Sequence, residues 1–417
     1  MTSSRMPRMR SLHVAALVVL VAACRTSPPT VDTLAERYVR VALQLAQHDP
    51  SLVEAWTGSE SLKPGPRVPV AELSTELDAL AGLIAARGSD ISASDEYARV
   101  HYLSGQVRAL RFSADRLLGR STTIDEQLSE EFGLTVTPLD TAAAGVVRAE
   151  LDRVLPGVGP ISDRLSALRT RTTVPSDRRQ AVMEIAVKAC REPTAPLIDL
   201  PADERVTVVF RNGTGWDAFA HYDWQHHTSI AISDEGPLDV ARALHLACHE
   251  GYAGHHAQFL LIDRLFGTRH WPELRLTPAF GRHLLFAEGA AEVGADLALS
   301  PAQRATLYRD RLFPAAGIDN RDVDVLVRVD GLLPKLLPVV TDVARQYLDT
   351  RITREQAIDR LTNEAMIPNA VGTLAFLERQ RARALVYGEG RLAVEAAMPA
   401  RTLAALRDLF PFRAALQ

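Results

Sequence analysis

Apolar side chains recur at helical spacing along most of this 417-residue chain. Leu34, Tyr38, Val41 and Leu45 step by four, three and four, which places them on one face of a helix. Asp49-Pro50 closes that run. Leu73, Leu77, Leu80 and Ile84 repeat the pattern, with Gly88 placed to stop it. Leu103, Val107, Leu110 and Leu117 mark a third helix. Thr123 with Glu126, and Thr353 with Gln356, have the spacing of capping boxes.

One region departs from this period. The stretches 205-RVTVVFRN-212, 218-AFAHYDW-224 and 228-TSIAIS-233 are β-branched and aromatic, with a turn at 212-NGTG-215. They read as three short strands. Helical spacing resumes in 236-GPLDVARALHLACHE-250, with Pro237 expected near the first turn. The pattern predicts a mainly α fold, a single helical domain over 31–417 with a small three-stranded β-sheet just before the helix that carries His249. There is no internal repeat and no low-complexity tract.

The first residues are of another kind. Arg5, Arg8 and Arg10 precede the apolar run Leu12 to Ala23, which is too short to span a bilayer comfortably. It leads into 20-LVAAC-24, small residues before a cysteine. Residues 1–23 resemble a bacterial lipoprotein signal, with Cys24 as the lipidated residue and 24–30 as a tether. That implies an exported chain, anchored to a bacterial membrane through lipid and facing the periplasm or the cell exterior. Cleavage removes three arginines and no acid, so the mature chain is more acidic than the full chain's −4. This balance argues against a nucleic-acid partner, which needs a basic patch. Only Cys190 and Cys248 remain for the folded part. No disulfide framework is expected, though one bridge stays open. Cys248 reads as a packed thiol, because helix neighbours point apart.

The densest chemistry is in 245-HLACHEGYAGHHAQF-259, which holds four of the twelve histidines. His249-Glu250 opens like the H-E-x-x-H signature of zinc hydrolases, but Ala253 stands where the second histidine belongs. The next candidates are His255 and His256. On an unbroken helix His255 would stand about 120° from His249, at ~100° per residue. His256 would return to the same face, ~10 Å further along the axis. Alternatively the helix breaks at Gly254, the extra residues loop out, and His255 takes the second-ligand place. His245 reads as a buried or supporting histidine. His221, His226 and His227 read as a polar turn outside the site. A third ligand is expected from 285-LFAEGAAEVGADL-297, where Glu288, Glu292 and Asp296 recur every four residues among small side chains. Glu288 is the expected ligand, and Glu292 the carboxylate that orients a histidine.

HEGYAGHH resembles the HE-x-x-PG-HH stretch of the bacterial domain-of-unknown-function 885 family, which is regarded as zinc-metallopeptidase-like. FAEGAAEVGADL resembles that family's downstream E-G-x-A element. The stretches 38-YVRVALQLAQHDPSLVEAW-56 and 381-RARALVYGEGRL-392 are also similar to members, so the likeness spans nearly the whole mature chain. Two positions differ: the motif's Pro is Ala253, and an aromatic common after E-G is Ala290. The resemblance implies a zinc ion held by His249, by His255 or His256, and by Glu288, with Glu250 as general base. Zinc lowers the pKa of its water to about 7, and an adjacent carboxylate can take the proton. In the C-terminal element Tyr387 would stabilise an oxyanion and Arg381 would pair with a substrate carboxylate. The expected activity is hydrolysis of a peptide or small amide substrate. The alternatives are a metal-dependent esterase or amidase on other substrates, and a non-catalytic metal-binding or scaffolding lipoprotein.

Overall fold

A computed structural model describes Met1 and residues 28–89, 95–213 and 217–409. The signal segment and Cys24 lie outside the described residues. The fold is mainly α, with two small sheets. The first helices are α1 (Val31–Ala46), α2 (Val70–Gly88), α3 (Asp95–Leu117) and α4 (Ile124–Phe132). Their apolar faces are the ones the spacing marks: Leu34, Tyr38, Leu45, Leu77, Leu80 and Leu103 have no exposed surface. Thr123 caps α4 through a reciprocal bond with Glu126, and Thr353 does the same with Gln356 on a later helix.

After α5 (Arg179–Thr194) come the three expected strands, β2 (Arg205–Arg211), β3 (Ala218–Tyr222) and β4 (His227–Ser233). They form one sheet in the order β2-β4-β3. β4 is parallel to β2 and antiparallel to β3. Helix α6 (Val240–Glu250) follows at once. Asp239 caps it by accepting from the Arg242 backbone N–H at 2.9 Å. The helix therefore starts three residues past Pro237, which lies just ahead of its first turn. A capping carboxylate satisfies an orphan N–H, which a proline two positions earlier cannot do.

A second sheet was not foreseen. Residues Val53–Trp56 form β1, which pairs antiparallel with β5 (Leu276–Pro278). At four and three residues, these strands are too short to leave an alternating pattern. Between them in sequence lies α7 (His255–Arg269), and after them α8 (Gly281–Leu297) and α9 (Val386–Ala397).

Cys190 on α5 is bridged to Cys248 on α6, with Cα atoms 5.3 Å apart. This overturns the reading of Cys248 as a packed free thiol. The neighbour argument was correct in direction: Cys248 does point away from the face of His249. On that other side it meets a second cysteine, 58 residues away in sequence, which spacing alone did not reveal.

Candidate metal centre

Helix α6 stops directly after the His249-Glu250 pair. Gly251 to Gly254 turn the chain, and α7 begins at His255. The helix is broken, as in the second of the two geometries open from the sequence. The turn needs its particular residues. A Cβ on Gly254 would lie 1.8 Å from the His249 carbonyl oxygen, so only glycine fits. Ala253 has φ 70°, a conformation that costs an L-residue about 1–2 kcal/mol. A proline, as the resembled motif has here, is fixed near φ −65° and cannot follow this path. Ala253→Gly is expected to raise the thermal midpoint slightly or leave it unchanged, since relief of strain offsets glycine's added chain entropy. Ala253→Pro is expected to lower stability by about 1–3 kcal/mol. Thermal unfolding of the two variants side by side checks this, and equal midpoints for both would contradict the geometry.

Breaking the helix brings the His249 and His255 rings to a centroid distance of 4.9 Å. Both face Glu288 on α8. Glu288 Oε2 is 3.3 Å from His249 Nε2 and 3.5 Å from His255 Nε2. The other ring nitrogen of His249 lies 3.2 Å from Glu292 Oε1, one turn along α8. Glu292 also faces His245 Nε2 at 3.3 Å. Two groups that could hold a metal ion result, His249–His255–Glu288 and His245–His249–Glu292, sharing His249.

The lines of approach are informative. His249 Nδ1 and Glu288 Oε2 are buried and have no hydrogen bond, although each has an opposite charge near 3.3 Å. Unsatisfied buried polar atoms are rare and call for a partner. Glu288 Oε2, near the Nε2 atoms of both His249 and His255, is placed to share a cation with them. The donor set of two imidazoles and a carboxylate is one that suits zinc. Glu292, 3.2 Å from the other ring nitrogen of His249, stands where an orienting carboxylate would.

Helix α8 can sit this close because its glycines allow it. A Cβ on Gly289 would come within 2.2 Å of the Gly390 backbone on α9. One on Gly294 would come within 1.8 Å of the Ala253 carbonyl oxygen. The helix face bearing Glu288 and Glu292 is thus set against both the turn and α9. Asp296, the third acid of that series, pairs with Arg391 and Arg304 instead.

Charge reinforces the picture. Burial opposes ionisation of Glu288, but His255 and His249 outweigh it and hold its carboxyl at about 2. Glu292 is held well below the carboxylate range in the same way by His245 and His249. Burial likewise opposes a proton on His249, yet Glu288 and Glu292 raise its pKa well above the ordinary value. Glu250 is buried and acts electrostatically on His249 and His255. Tyr387 on α9 has its ring 6.2 Å from that of His249. The charges of Glu288, then burial and Glu250, raise its phenol pKa well above the usual value, so it stays a neutral donor.

Two of the sequence candidates lie elsewhere. His256 turns to the opposite side of α7, fully buried. Its Nδ1 meets Thr228 Oγ1 at 2.8 Å and its Nε2 faces Glu204 Oε2 at 3.2 Å. Consecutive helix residues diverge by ~100°, so only one of the pair can face the group. Glu204 also accepts from Tyr252 and from Arg191. His256 thereby ties the start of α7 to the sheet. Arg381 is not among the residues of the metal group. It lines a separate cavity described below. His226 and His227 pair with Asp203 and Asp223 near the β3–β4 turn, away from the group.

Two neighbours were missed. Glu54 on β1 is exposed at the rim. Crowding by the cleft, with the charges of Glu288 and Glu250, pushes its carboxyl up to about 7, against His255 and Arg383. Water at the rim screens part of that effect. His283 on α8 is pushed down to about 4 by burial and by His255. The unforeseen β1–β5 pairing is what brings Glu54 here, and the only sequence signal was its place in the stretch ending at Trp56.

No protein-family profile matches the chain, and no curated protein is similar to it. The likeness to the domain-of-unknown-function 885 family therefore rests on the quoted motifs alone. Among solved structures, the chain aligns with "the putative lipoprotein from Colwellia psychrerythraea" at 14% identity and a TM-score of 0.49. That alignment covers 92% of this chain and 74% of the other. A likeness at this level carries neither fold nor function across.

Proposed function

We propose that this chain is an exported, lipid-anchored zinc hydrolase that cleaves a peptide or related amide bond. The observation that carries the reading is that His249, His255 and Glu288, from α6, α7 and α8, bring their ligand atoms within 4.8 Å of one another, with Glu288 Oε2 buried and unsatisfied. The Cys190–Cys248 bridge supports export, because such bonds persist in oxidising compartments. No helix among the described residues is long and apolar enough to cross a membrane; the proposed anchor is Cys24, on the signal-like sequence before it.

When bound, zinc supplies Lewis acidity for the attacking water and the scissile carbonyl. His249, His255 and Glu288 would hold it, with Glu292 fixing the ring of His249. Glu250 follows a ligand directly in sequence and is buried beside both histidines. It would accept the water's proton and return it to the leaving nitrogen. Tyr387 would donate its phenolic hydrogen to the developing oxyanion.

Metal analysis of the chain purified without added chelator tests the reading. About one equivalent of zinc per chain is expected, as for a three-ligand site. A chain that comes out with no transition metal, and takes up none from micromolar zinc, would sink it.

A further inference from the structure

We propose that the cavity between the C-terminal end of α3, the turn before β1 and the turn before α9 is an anion-binding subsite for the dianionic end of a substrate. The cavity has a volume of about 360 Å³. Arg116, Arg120, Arg381 and Arg383 all line it, and Asp49 is the one acid among the lining residues. Guanidinium forks match carboxylate and phosphate oxygens in pairs, and four of them suit more than one negative charge.

Of the four, Arg383 alone has an ion pair as close as 3.2 Å; the others are held more loosely. Arg383 donates to the buried Glu131 at 3.2 Å and to the Ser51 carbonyl at 3.1 Å. Arg116 reaches Glu131 only at 4.0 Å. Arg120 is 3.6 Å from Asp115, which Arg111 already holds. With its amide turned to present the oxygen, Gln127 accepts from Arg381 Nε at 3.0 Å, a neutral partner for a full charge. Burial lowers the pKa of Arg116, Glu131 opposes this, and Arg383 and Arg381 add to the fall. An anion in the cavity would relieve that mutual repulsion.

Arg381 carries a second sign. Its backbone has φ 51° and ψ −126°, where glycine is the favoured residue. A long cation kept in a strained conformation is typical of a side chain held in place for binding.

Two segments lead from the cavity toward the metal group. Leu52 in its wall is two residues from Glu54, whose carboxyl is affected by Arg383 and also by Glu288 and His255. The Arg381–Leu385 turn runs directly into α9, which carries Tyr387. The substrate half of the proposal rests on the hydrolase reading: a substrate with a doubly charged acidic end would dock here and extend its scissile bond toward His249.

Binding can be tested apart from that reading. Inorganic phosphate and glutarate are titrated calorimetrically into the zinc-free full chain at low salt, with acetate at matched ionic strength as the control. At least one dianion is expected to bind more tightly than acetate. Arg381→Gly, which suits the backbone, and Arg120→Gln, at an exposed position, should each weaken it roughly tenfold or more. His249→Ala should leave it unchanged. The tighter of the two probes identifies the dianion as phosphate or dicarboxylate. Binding no better than acetate, or undiminished in both arginine variants, or lost in His249→Ala, would overturn the subsite. Cleavage of peptides ending in Asp or Glu, compared with their C-terminal amides, then tests the substrate half. A preference of roughly tenfold or more for the free acids that disappears in Arg381→Gly is expected. Equal rates would refute the docking role even where dianion binding holds.

Discussion

His249→Ala, His255→Ala and Glu288→Ala are each expected to strip the chain of zinc, while His256→Ala is expected to keep it. This contrast is the strongest consequence of the broken helix. The first three substitutions would each remove one of the three proposed ligands, and a two-ligand site holds zinc orders of magnitude more weakly. His256 differs from His255 by one residue in sequence but faces Thr228 and Glu204. Its loss leaves Glu204 with Tyr252 and Arg191 as partners and should destabilise the start of α7 by roughly 1–3 kcal/mol. Zinc stoichiometry and thermal midpoint, read together on the four variants, separate the two roles. Zinc loss in His256→Ala with retention in His255→Ala would mean that the helix runs on through Gly254 in solution.

Much of this arrangement was legible in the sequence, and the reasons for the exceptions are physical. The helices that line the core announce themselves because each buries one face for ten residues or more. Leu73, Leu77, Leu80 and Ile84 are one example, all of them buried. The three-stranded sheet was readable because β2 and β4 are dense in Val, Ile and Thr and β3 carries two aromatic residues. Glu288 and Glu292 could be placed on one face from their four-residue spacing, and the small residues around them foretold close packing. The choice between His255 and His256 could not be made, since it depends on whether four residues continue a helix or reverse. Gly254 hinted at reversal, but Ala253 in a positive-φ conformation is not something spacing reveals. Contacts that join distant segments were invisible. The Cys190–Cys248 bridge, the β1–β5 pair that delivers Glu54, and the arginine cavity all join parts of the chain that no local pattern relates. Arg381 was singled out for a substrate carboxylate, yet its three companions in that cavity drew no notice.

The turn between α6 and α7 is braced by its neighbours. A proline could not adopt the φ of Ala253, so another element has to stiffen the turn. Here α5 does it from outside, through the disulfide to Cys248 and through Arg191, which holds Glu204 against Tyr252 and His256. Gly294 presses on the Ala253 carbonyl from the other side. The second departure, Ala290, opens a small apolar cavity of about 40 Å³ shared with Ala253 and Leu406. Both departures thus fall behind the turn and not among the ligand atoms.

Glu250→Gln is expected to keep its zinc and its fold while lowering kcat by roughly 10²–10⁴, the range for loss of a general base. Glutamine has the same size and can still hydrogen-bond, but it cannot take a proton from the attacking water. Glu250 is buried next to His249 and His255, so the substitution removes a charge from the cleft without removing a ligand atom. Affinity for zinc should therefore fall little, and KM should hardly move, because the proton transfer occurs only in the transition state. A non-catalytic metal-binding lipoprotein predicts something different: no substrate turned over by wild type, and a variant indistinguishable from it. A screen of short peptides comes first, followed by single-substrate kinetics on wild type and variant at equal zinc loading. If a peptide is cleaved and the variant cleaves it at the wild-type rate, Glu250 is not the base. A loss carried wholly by KM would instead make it a substrate-binding group.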